Sequence, residues 1–255
     1  RQVRRGGRVP RGAEATDPSL ALASLRGGGL RILTGPVSSP TVARLIGAIL
    51  ARDPAARWHQ WSAVGGDNAL EGARLAFGEA VVPRPDLARA RLVLALGGGL
   101  LDAGPSQLAN ARAWAAARRA GTPGLIVAEP TPTLTGVAAD WRLAMGPADI
   151  EALAREIAVA LAGDAAFTTP TLPREGRGIG ARLATLLREA GADAVVTASP
   201  DMPPAVHALA HAINAGLGAR VAYLPSPLAR REAMGDSLRD LARDMARGAV
   251  QRLLI

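Results

Sequence analysis

The chain of 255 residues contains no cysteine. Disulfides, thiolate-held zinc, iron–sulfur clusters and thiol nucleophiles are therefore excluded from this stretch, and any redox centre lies elsewhere. The compartment stays open, because a chain without thiols suits oxidising and reducing surroundings equally. Lysine is absent too: all 30 basic residues are arginine, against 22 acidic ones, for a formal charge of +8. Aromatics make up only 3% of the chain, so no stacking platform accompanies the arginines. These are scattered over helical stretches, among them Arg112, Arg118, Arg182 and Arg239, often beside acids. Such a surface reads as solvated and not as a nucleic-acid face. No run approaches the ~20 apolar residues of a membrane span, so none is expected here. Residues 1–29 are rich in Arg and Gly and include Arg4-Arg5, yet lack the apolar core of a secretory or twin-arginine signal, and they read as a flexible segment.

With 49% apolar residues, the chain is long enough to bury one large core or two smaller ones. Ala, Leu, Val and Ile must fill that interior, as they do where helices cover a parallel sheet. Apolar runs alternate with segments of helical spacing. Strands are expected at Leu30 to Thr34, Arg57 to Trp61, Arg91 to Leu96, Gly124 to Ala128 and Trp141 to Met145. Helices are expected at Thr41 to Ala51, with Ser39 as N-cap before Pro40, then at Asp67 to Phe77, Pro105 to Ala120 and Asp149 to Leu161. Residues 164–175, with their Thr and Pro and no periodicity, read as a linker. The rhythm then restarts: helix Ile179 to Ala190, strand Ala194 to Ala198, helix Pro204 to Leu217, strand Arg220 to Leu224, helix Ser237 to Gly248. A final strand-like run ends at Ile255, beyond which the natural protein is expected to continue. The reading is an α/β chain of two Rossmann-like parallel-sheet lobes, one over 30–163 and a second, incomplete one over 176–255.

Ligands of such sheets bind outside the carboxyl ends of the strands. The candidate binding residues are accordingly Gly35, Ser38 and Ser39 after the first strand, Gly97, Gly98 and Gly99, then Glu129, Thr131, Thr135 and Asp140, and Ser199. Ser38, Ser39 and Thr41 suit either a phosphate or ordinary helix capping, and capping is favoured. The glycine triplet lies where a dinucleotide loop belongs, but Asp102 fills the sixth place of the fingerprint, which requires glycine. Asp140 in its Thr-rich loop reads as a turn-fixing acid. His207 and His211, one helical turn apart, lack a third ligand nearby, so a helix–sheet or partner contact is preferred over a metal site. No catalytic residue stands out.

Three stretches, Asp86 to Gly97, Glu129-Pro130 through Thr135 with Ala139-Asp140, and Val206 to Asn214, resemble the molybdopterin oxidoreductase superfamily. The narrower resemblance, through Leu33 to Thr41, Trp58-His59-Gln60-Trp61, Pro132 to Gly136 and Asp244-Met245, is to the cofactor-free molybdopterin-like domain of the alternative complex III iron–sulfur subunit. Active relatives carry Gly-x-Asn-Pro and Asp-Pro-Arg where this chain has Gly97-Gly98-Gly99 and Glu129-Pro130-Thr131. An amide and a guanidinium able to grip a pterin dinucleotide are thus missing. The resemblance implies a non-catalytic structural domain without cofactor in a respiratory quinol-oxidising complex. Its partners would be the other subunits, on the periplasmic side of the bacterial inner membrane. Two alternatives stay open: a catalytic fragment holding molybdopterin guanine dinucleotide between its lobes, and a thiamine-enzyme or transhydrogenase-like nucleotide domain.

Overall fold

The computed structural model describes residues 28–121, 123–162 and 178–255. The expected linker 164–175 lies outside the described residues, as does all but the end of segment 1–29. In chain order the helices and strands are β1 (Leu30–Thr34), α1 (Pro40–Arg52), β2 (Arg57–Gln60), α2 (Asp67–Phe77), β3 (Val81–Pro85), β4 (Leu92–Leu96), α3 (Gln107–Arg119) and β5 (Gly124–Glu129). Then follow α4 (Leu134–Val137), β6 (Trp141–Ala144), α5 (Pro147–Ala162), α6 (Ile179–Ala190), β7 (Ala194–Ala198), α7 (Pro204–Leu217), β8 (Val221–Pro225), α8 (Met234–Ala246) and β9 (Arg252–Leu254). The chain is α/β, with two parallel sheets flanked by helices, as the alternating pattern predicts. No helix among the described residues is long and apolar enough to cross a membrane.

One compact unit takes the described residues up to Ala63 together with Leu228–Ile255. Its sheet has the order β2-β1-β9, all parallel. Leu30, Ile32, Ile46 and Trp58 form its small core. Ser39 caps α1 by accepting from the Val42 amide, with Pro40 at the first helical position, so the capping reading of this loop holds. On α8 the buried residues Met234, Ser237, Leu241 and Asp244 recur at helical spacing. Asp244 accepts from buried Arg31 of β1 at 2.6 Å, and Ser237 accepts from the Gln60 amide through its hydroxyl.

The second unit, Val64–Pro227, is built on a parallel sheet of order β6-β5-β4-β7. Its central strands β4 and β5 are buried on both faces, which is why they read as unbroken apolar runs. Leu94, Leu96 and Ile126 point to the side packed by Leu153 and Ile157 of α5, Leu183 of α6 and Ile213 of α7. Val93, Ala95 and Val127 point to the other, with Leu87, Leu100 and Trp114. At the outer edge of β7, the Asn214 side chain donates to the Val196 carbonyl and accepts from the Val196 amide, both at 2.8 Å. The carboxamide stands in for a missing strand.

Three features depart from the sequence reading. The expected lobes at 30–163 and 176–255 follow chain order, but the sheets do not. β7 joins β4 in the same sheet, and β9 joins β1. Helical and strand periodicity identify elements, whereas the choice of neighbour is made by packing of their apolar faces. Strand β3 was not anticipated, because Pro83 and Pro85 argue against a ladder. It pairs antiparallel with β8, so β8 belongs to neither parallel sheet.

Candidate functional site

The polar residues of the second unit converge at the carboxyl edge of β4, β5 and β7, where loops of a parallel sheet meet helix starts. Gly97, Gly98 and Gly99 leave β4 with φ of 84°, 83° and 79°, a left-handed run open only to glycine without strain. Each is covered by a neighbouring loop. A Cβ on Gly97 would lie 2.7 Å from the Met202 side chain, one on Gly98 2.7 Å from the Thr133 hydroxyl, and one on Gly99 2.8 Å from the Ser199 Cα. Ser199 itself donates from its amide to Leu96 and from its hydroxyl to Asp201.

Two carboxylates organise the rest. Asp102 accepts from the Gly99 amide at 2.9 Å, the Leu134 amide at 2.8 Å and the Thr135 hydroxyl at 2.6 Å. Partial burial raises the pKa of this acid, but those bonds outweigh it and hold the carboxyl below its usual range. The Thr135 hydroxyl also accepts from the Leu101 amide, tying the loop after β4 to α4. Glu129, at the end of β5, is fully buried. It accepts from the amide and hydroxyl of Thr133, and from Arg142 Nε at 2.6 Å. Its carboxylate fills the place that a Cβ on Gly136 would need.

Of the residues expected to line a cleft, this unit brings Gly97, Gly98, Gly99, Glu129, Thr135 and Ser199 together. Thr131 lies exposed in the same loop. Asp140 is elsewhere: it precedes β6 and bonds the Leu125 amide near the start of β5, at the amino edge of the sheet. There it pairs with both terminal nitrogens of Arg118, which chiefly depress its pKa. Its partners are thus Leu125 and Arg118, where amides of its own loop were expected, and it stands apart from the other binding candidates because one strand length separates the two edges. Gly35, Ser38 and Ser39 belong to the first unit.

Sequence reasoning missed Asp102 as an organising acid, along with Thr133 and Arg142. The signal for Asp102 was its place three residues after the last glycine, from which a short acidic side chain reaches back to a free amide. His207 and His211 are both buried on α7. His211 contacts the rings of Phe77 and Tyr223 at 5.2 and 5.3 Å, beside an apolar groove lined by Leu75, Ala208 and Ala212. Burial lowers both imidazoles to about 4. No group of three metal-ligating side chains occurs among the described residues.

No family model matches the chain, and no curated protein matches it in sequence. Solved structures do match in shape, two of them as follows. Acetylene hydratase from Pelobacter acetylenicus aligns over 89% of this chain and 36% of its own, at 14% identity and a TM-score of 0.54. A chain from the formyltransferase/hydrolase complex FhcABCD of Methylorubrum extorquens, solved with methylofuran, aligns over 81% of this chain and 56% of its own, at 20% identity and a TM-score of 0.55. This chain shares their fold. It spans little more than a third of the one and little more than half of the other, and at these identities the likeness extends to architecture alone.

Around the glycine run, the Gly99 and Leu134 amides and the Thr133 and Thr135 hydroxyls are bonded to Asp102 and Glu129, and the space a Cβ would need at the three glycines is taken by Met202, Thr133 and Ser199.

Proposed function

We propose that this chain is a molybdopterin-oxidoreductase-like domain that carries no pterin and serves as a structural part of a multi-subunit complex. The observation that supports this is the committed donor set at the carboxyl edge: the Gly99, Leu134 and Thr133 amides and the Thr133 and Thr135 hydroxyls all run to two of the chain's own acids, Asp102 and Glu129. Oriented donors are what a site uses to hold phosphate, and here they brace loops instead. An assembly of the formyltransferase/hydrolase kind has the support that a chain of such a complex shares the fold. In that setting the domain holds catalytic neighbours in place. The quinol-oxidising respiratory complex rests on sequence motifs alone.

The test is native purification of the full-length protein with its partners, followed by metal and pterin analysis and identification of the co-purifying chains. The expected result is no stoichiometric molybdenum, tungsten or pterin, together with formyltransferase- and hydrolase-type subunits. Stoichiometric metal and pterin would overturn the structural reading. Iron–sulfur and heme subunits in place of the expected partners would overturn the assignment to a formyl-transferring complex.

A further inference from the structure

We infer that Asp102 is a built-in counter-anion: its carboxylate occupies a socket of three converging donors and so closes the glycine loop of the second unit to any external phosphate. The inference deepens the proposed function, on whose cofactor-free reading it rests, by naming the residue that shuts the loop. Gly99 N–H and Leu134 N–H reach the two different oxygens, at 2.9 and 2.8 Å, and the Thr135 hydroxyl adds a third bond at 2.6 Å. These donors come from two separate loops, after β4 and after β5. They surround one small anion with the distances of charge-assisted hydrogen bonds. Such convergence is how a protein binds a phosphate oxygen group. In this chain a side chain tethered three residues away arrives first, as an intramolecular partner.

The surroundings explain why the socket stays closed. Gly99, whose amide is one donor, is pinned under Ser199 and cannot swing aside without displacing the loop after β7. Thr135 is held by the Leu101 amide, so its hydroxyl is aimed at the acid. Asn110 of α3 fixes the Leu100 carbonyl at 3.0 Å, keeping the intervening turn in place. The neighbouring Thr133 is held in turn by the fully buried Glu129, which also pairs with Arg142 at 2.6 Å. Asp102 thus acts as a positioning residue. Its removal is expected to leave two backbone amides and a hydroxyl pointing into an anion-sized gap.

The experiment compares the wild-type full-length protein with Asp102→Ala and Asp102→Asn, titrating inorganic pyrophosphate against chloride at matched ionic strength and following the midpoint of thermal unfolding. Wild type is expected to show no pyrophosphate-specific shift. Asp102→Ala should melt several degrees lower and regain part of that loss with pyrophosphate but not chloride; Asp102→Asn should fall between. Stabilisation of wild type by pyrophosphate equal to that of the alanine variant would overturn the inference, because the socket would be open. Absence of any specific rescue in a folded variant would do the same. Should Asp102→Ala not fold, the amide proton shifts of Gly99 and Leu134 in wild type decide. They should move together in one acid titration, and independent or absent titration would refute the shared carboxylate. Pterin found in the purified complex alongside a closed socket would sink the proposed function and leave this inference standing.

Discussion

Glu129 shows how a single acid changes meaning between sequence and structure. In the sequence it is one member of an acidic, Pro- and Thr-containing loop. In the fold it is a fully buried carboxylate paired with Arg142 and bonded to both polar groups of Thr133. Removing Glu129 leaves the Thr133 amide and hydroxyl without their acceptor, while Arg142, whose side chain is 29% exposed, can turn to water. Glu129→Ala is therefore expected to destabilise the protein by about 2–4 kcal/mol, from two stranded donors at about 1–3 kcal/mol each, read as a fall in the urea midpoint with unchanged slope. Gly136→Ala should act in the same direction, since its methyl group claims the carboxylate's space. A change below about 1 kcal/mol for Glu129→Ala, the value typical of an exposed pair, would mean that the loops are not braced in the way described.

At the scale of elements, the decisive contact is the one that ends the sheet. An edge strand presents unpaired amides and carbonyls that invite pairing with another chain. Asn214, buried on α7, satisfies both groups of Val196 on β7. Asn214→Leu keeps the volume but strands a buried donor and acceptor, for an expected loss of about 2–4 kcal/mol and faster hydrogen exchange along β7. Asn214→Asp retains an acceptor for the Val196 amide while setting a second acceptor against its carbonyl, so it should also destabilise. Unchanged exchange at Val196 in the leucine variant would remove this role. Helix α7 has a second constraint at Gly72 of α2: a Cβ there would meet the Pro204 carbonyl at 2.7 Å, so the two helices approach as closely as backbone allows. Neither contact has a periodic signature. Asn214 reads as an ordinary polar residue near a helix end, and Gly72 as a mild helix breaker.

For the whole molecule, acid stability follows from the buried imidazoles. His207 and His211 are held neutral, with pKa lowered from 6.5 to about 4 by burial, and for His211 also by the neighbouring His207. The unfolded chain therefore binds more protons than the folded one between pH 6.5 and about 4, and stability present above 6.5 is lost as pH falls through that window. Each histidine contributes at most about 3 kcal/mol. Asp102, Asp140 and Asp244, depressed by their partners, lose their contribution at lower pH still. Urea unfolding at pH 7.5 and pH 5 should show this loss, and His211→Phe should reduce the difference; a pH-independent midpoint would refute it.

The sequence by itself determined the α/β class, nearly every helix and strand, the Ser39–Pro40 cap and the absence of thiol chemistry, because those depend on local periodicity, capping and composition. Only the tertiary structure decided that β7 and β9 complete sheets begun far earlier in the chain, that β3 pairs with β8, and that Asp140 sits at the opposite edge from Glu129. It likewise decided that Asp102 and Glu129 take up the donors around the glycine run. Strand partners in the β1–β9 pair, such as Leu30 and Arg252, lie more than 200 residues apart, and no local pattern encodes which distant faces and donors meet.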